Sequence, residues 1–274
     1  MNLQNLQTNR YLLLVNIFFV IYIVVKAGFP SYEGIYSLMG FMMLLVAGVA
    51  GFRACISFGG RRNFTGRIAL YFSVALFLVA VSILASSLAA SGMLSYGSAG
   101  DLSILDLAAF VLAQCISTYA LIVSVRAVID GLNTRAIVYI TLSLLFSIGI
   151  AWFNFEIGSQ VGFIRTTLDQ VFWVGAFPFL IFLQLASALL LIDLLGKWYA
   201  TQIIGVIAIG FVCFDLLLPP VMAFILVTLL GFLGNQVTTL LTGISIQAVA
   251  AMYLVSIALT QMRPRDRGPF FATR

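Results

Sequence analysis

Eight long apolar runs, near 11–27, 34–56, 67–91, 104–129, 135–155, 170–195, 201–219 and 237–261, take up most of this chain. About 20 apolar residues cross a bilayer as a helix. In hydrocarbon, every backbone N–H and C=O must be satisfied within the protein, and helices and closed barrels are the folds that manage this. Runs of this length, without the alternating polarity of barrel strands, predict transmembrane helices. The charge content agrees, at 8% against about 25% in soluble domains. With 62% apolar residues, the chain could not cover its own surface in water. A soluble globule, a disordered chain and a disulfide scaffold are excluded.

The reading is an all-α polytopic integral membrane protein with about eight transmembrane helices in tandem hairpins. It forms one domain over 1–274, with hairpin repeats at about 67–131 and 135–196, a C-terminal pair over 201–261 and a short basic tail, 262–274. Arg10 in front of the first run gives it the look of a signal peptide. No small-x-small cleavage site follows, so a retained helix is expected.

Orientation follows from the 14 basic residues. With both termini in the cytoplasm, Arg10, Arg53, Arg61, Arg62, Arg67, Arg126, Arg135, Lys197, Arg263, Arg265, Arg267 and Arg274 fall inside. Lys26 and Arg165 alone fall outside. Glu33, Asp101, Asp106, Glu156 and Asp169 gather at the outer side. The multi-pass topology places the protein in the cell membrane. A net charge of +5 reflects this topology and implies no nucleic-acid partner.

The breaks carry turn chemistry, as in Gly59-Gly60-Arg61-Arg62-Asn63 and Asp130-Gly131-Leu132-Asn133. Two of the hairpins are related. Shifted by 63 positions, 104–132 matches 167–195 at Leu105/Leu168, Asp106/Asp169, Val111/Val174, Ala113/Ala176, Ser124/Ser187, Ile129/Ile192, Asp130/Asp193 and Leu132/Leu195. Arg67-x3-Tyr71 recurs as Arg135-x3-Tyr139. The copies run in the same direction, which favours a tandem of hairpins over the inverted repeats of many transporters.

Histidine is absent, which removes imidazole-ligated metals and imidazole acid–base work. Cys55, Cys115 and Cys213 stand far apart and form no CxxC. No phosphate loop, zinc-protease or nucleophile-elbow motif occurs. Neither enzyme activity nor a cofactor is expected.

Intramembrane polar groups are the candidate functional residues. Asp215 lies about 20 Å into a layer of about 30 Å at about 1.5 Å per residue. With no basic residue near it in sequence, it is neutral, paired across helices, or facing water. Gln114, Ser82 and Ser245 sit at similar depth as possible hydrogen-bond partners. Pro219 and Pro220 follow closely and remove two backbone donors, so the seventh helix kinks or breaks there and a cation, water or ligand site is possible. Gln184 and Gln247 are read as interhelical polar contacts. Small residues at helical spacing, such as Ala47/Gly51, predict close helix packing.

From Gly59 to Leu218 the chain resembles the multi-helix membrane sensor regions that precede histidine kinases and diguanylate cyclases in bacteria and archaea. The resemblance rests on Gly60-Arg61-Arg62 leading into a helix, on Leu105-Asp106-Leu107 after an acidic turn, and on Leu168-Asp169 through Leu195-Gly196-Lys197. It implies a sensor whose output is carried by another protein, because no kinase or cyclase sequence follows here. The expectation is a non-enzymatic membrane scaffold or sensor-type protein working with partner membrane subunits or with copies of itself. The competing expectation is a small-molecule or ion permease with its site around Asp215.

Overall fold

The structure, a computed structural model, describes residues 3–29, 32–90, 96–128, 131, 133–158, 167–194, 199–216 and 235–262. All secondary structure among them is helical. The helices are α1 (Leu3–Gly28), α2 (Glu33–Ser57), α3 (Phe64–Ala90), α4 (Tyr96–Val128), α5 (Thr134–Gly158), the short α6 (Thr167–Gln170), α7 (Phe177–Leu194), α8 (Tyr199–Leu216) and α9 (Asn235–Gln261). The apolar runs read from sequence coincide with these elements to within a few residues at most ends. Six stretches are long and apolar enough to cross a membrane, from Arg10–Gly28 through Val171–Asp193. Ile203–Asp215 in α8 and Ser245–Gln261 in α9 are shorter apolar helices. The segment holding Pro219 and Pro220, and with it the expected kink, lies outside the described residues.

Helix starts and turns have local causes. Between α2 and α3, Gly59 and Gly60 adopt φ of +87° and +73°, a region costly to residues with a Cβ. Asparagines cap two helices: Asn63 Oδ1 accepts the Thr65 N–H at 3.0 Å, and Asn133 Oδ1 accepts that of Ala136 at 2.8 Å. Both stand at the ends of the turns named from sequence.

A π-helical segment, Val171–Ala176, joins α6 to α7. Pro178 explains it. The Phe177 N–H reaches back to the Phe172 carbonyl, so the donor next in line for Trp173 would be residue 178, which as proline has none. Asn154 on α5 supplies it, with Nδ2 2.7 Å from the Trp173 oxygen. Ser147 Oγ, also on α5, donates to the Pro178 carbonyl at 2.5 Å. The irregular stretch is thus held by side chains of its neighbour. Sequence reasoning did not find it.

The helices pack around a closed circuit. α1 lies on α2, α2 on α3, α3 on α4, α4 on α7, α7 on α8, and α8 on α9, which returns to α2 and α1. α3 packs on α4 and α5 on α7, each as an antiparallel hairpin. Close approach comes from missing side chains: a Cβ on Gly51 would collide with Ser73 of α3 and Leu259 of α9, and one on Gly210 with Val255 of α9. Ala47, one turn from Gly51, is fully buried, as the small-residue spacing predicts. α1 and α5 are peripheral, with 11% and 17% of their apolar windows buried against 44–56% for the other four spans.

Candidate functional site: a polar knot joining α4, α7 and α8

Where α4, α7 and α8 meet, the apolar interior gives way to five polar side chains. Gln114, Ser117 and Thr118 come from α4, Gln184 from α7 and Asp215 from α8, and each is at most 3% exposed. Gln114, Ser117 and Thr118 share a face because residues three and four apart on a helix stand one above the other. Gln184 Nε2 donates to Gln114 Oε1 at 2.7 Å, with Thr118 Oγ1 at 3.1 Å and Ser117 Oγ at 3.4 Å also in range. Gln114 Nε2 in turn donates to Asp215 Oδ1 at 2.5 Å. Gln114 therefore relays a run of hydrogen bonds from α7 to α8, accepting at one end of its amide and donating at the other. Among the described residues no cation pairs with Asp215, and amide donors take the place of a counterion. The Gln184 carbonyl oxygen, Oε1, is buried without a partner among the described residues.

Of the residues expected around Asp215, the structure brings in Gln114 and, from the expected interhelical contacts, Gln184. Ser82 goes elsewhere: its Oγ donates to Asp106 Oδ1 at 2.5 Å, tying α3 to α4 nearer their other ends. Ser245 is half-buried and Gln247 is exposed on α9. Pro219 and Pro220 lie outside the described residues. Ser117 and Thr118 were missed by sequence reasoning; their signal is the spacing from Gln114 on one helix face.

Other polar groups act at helix ends or between peripheral helices. Asp193 meets Arg135 across the α5–α7 hairpin at 3.6 Å. Lys197 and Asp130 lie outside the described residues. Tyr253 of α9 donates to Asn16 Oδ1 of α1, and its ring stacks on Phe19 with centroids 3.9 Å apart. No group of three or more metal-ligating side chains occurs among the described residues.

No protein-family model matches the chain, and comparisons with curated proteins and with solved structures give no match.

Proposed function

We propose that this protein is a non-enzymatic membrane scaffold or sensor-type subunit, crossing the cell membrane eight times with both termini in the cytoplasm. The observation that carries the reading is the closure of the polar knot. Gln114, Gln184 and Asp215 are 0–1% exposed and directly hydrogen-bonded to one another. A permease built on Asp215 needs that carboxyl to meet water or solute. A carboxyl occupied by a neighbouring amide and packed from solvent is a fastener between helices. The peripheral α1 and α5 carry broad apolar faces, including Leu142, Leu145, Ile148 and Trp152 on α5, and these meet lipid or partner subunits.

Affinity purification from native membranes after mild crosslinking tests the reading. A membrane protein recovered in fixed ratio with this chain, or a defined self-assembly, is the expected result. A solitary chain whose reconstitution into vesicles gives solute or ion uptake abolished by Asp215→Asn would overturn it in favour of the permease.

A further inference from the structure

A groove of about 490 Å³ runs between α3 and α4 on the outside of the bundle. That volume falls within the roughly 300–1,000 Å³ typical of small-molecule sites. Leu70, Tyr71 and Val74 form one wall, and Cys115, Ile116 and Tyr119 the other. Arg61 and Arg67 stand at its mouth, at the end where α2 turns into α3. From Arg67 to Val74 the groove follows α3 for about 10 Å at about 1.5 Å per residue. It therefore leads from a helix end toward the middle of the apolar layer. Tyr71 and Tyr119 pack edge to face one turn beyond Arg67, centroids 5.5 Å apart, and Val74 and Cys115 line the deeper end.

Both arginines are exposed, and among the described residues neither is held in an ion pair. Arg67 lies 6.0 Å from the Phe64 ring centroid, so its guanidinium is kept near the helix start. Two cations at the mouth of an apolar furrow are complementary to a molecule with an anionic head and a hydrocarbon tail. A free anion would use only the arginines, and a neutral lipid only the furrow. Basic sites between transmembrane helices at the membrane surface select anionic headgroups in this way.

We propose that the α3–α4 groove is a binding site for an anionic phospholipid, with the phosphate on Arg61 and Arg67 and one acyl chain laid along Leu70, Tyr71, Val74 and Ile116. The site rests on the membrane reading of the chain and is independent of the scaffold role.

Native mass spectrometry of the full chain in detergent provides the test, with phosphatidylglycerol and phosphatidylcholine of identical chains as probes. The expected result is one retained phosphatidylglycerol, bound roughly ten- to thirtyfold more tightly than phosphatidylcholine. Arg61→Gln with Arg67→Gln should bring the two lipids within twofold of each other. Arg53→Gln and Arg126→Gln, exposed cations at the same end of the bundle, should leave the preference intact. Val74→Trp, at a partly exposed position, should block the furrow and lower retention of phosphatidylglycerol although both arginines remain. Equal binding of the two lipids, or a preference that survives the double substitution, would overturn the proposal. So would competition by millimolar inorganic phosphate, which would assign the arginines to a free anion, or unchanged retention in Val74→Trp. All the altered side chains face outward, and an unchanged thermal midpoint for each variant separates loss of lipid from loss of fold.

Discussion

Asp215 accepts a hydrogen bond from Gln114 at 2.5 Å, with the Gln184 amide also in reach, and these contacts set what each position tolerates. Asp215→Asn keeps an oxygen to accept from Gln114 Nε2, so its thermal midpoint in detergent should match that of the parent. Asp215→Leu leaves the amide without its acceptor inside the bundle. A stranded buried polar group costs about 1–3 kcal/mol, and hydrogen bonds between membrane helices have measured up to about 1.7 kcal/mol. A loss of about 1–2 kcal/mol is expected, and a parental midpoint for the leucine variant would refute this account of the knot. Gln114→Leu breaks the relay on both sides and should cost more than Gln184→Leu. Combined with Asp215→Leu it should cost less than the sum, because both partners of one bond are then gone. The sequence singled out Asp215, Gln114 and Gln184 because polar groups are conspicuous in an apolar run. It could not show which of them meet, since depth is readable from position along a helix but azimuth relative to other helices is not. Ser82 has the right depth and faces Asp106; Gln247 lies on an exposed face.

Among the elements, the join between α6 and α7 carries the most specific prediction. Asn154→Ala removes the donor to the Trp173 carbonyl, at a cost of about 1 kcal/mol by the usual worth of such a bond. Pro178→Ala restores a backbone N–H at the residue whose carbonyl accepts from Ser147 and lets the segment close as a regular α-helix. Asn154→Ala should therefore cost little in the Pro178→Ala background, measured by thermal unfolding in detergent; equal costs in both backgrounds would disprove the assigned cause. At the α2–α3 turn, Gly59→Ala should destabilise by about 1–2 kcal/mol because its φ is +87°, and an unchanged midpoint would contradict that. Helix bounds were legible because hydropathy and the Gly-Gly and Asn turns mark them directly. The π segment was not: Pro178 stands inside a predicted span, but its effect depends on Asn154 and Ser147 arriving from α5.

For the whole molecule, the distribution of arginines and lysines predicts the side on which each loop emerges. Reporters fused after Arg274 and in the turn near Gly131 should be active only on the cytoplasmic side, and one inserted between α5 and α6 only on the outer side. A periplasmic-type signal at Arg274 would reject the eight-crossing topology. The all-helical, membrane-spanning class was within reach of the sequence because lipid imposes a length and a charge rule on every span. The circuit was not, because apolar helices all round give no sequence signal for which neighbour each one takes.

The return of α9 onto α1 and α2 makes assembly a matter of timing. Tyr253 and Asn16 are 237 positions apart in the chain. At about 5–20 residues per second of synthesis, Asn16 waits on the order of tens of seconds before its partner exists. During that interval α1 has α2 beside it, and the side that α9 will cover is open to the bilayer and to anything else being inserted there. The first helix is thus the one left longest with an unfinished neighbour, so a stalled or slowly translated chain offers this seam to other membrane segments before its own last helix can claim it.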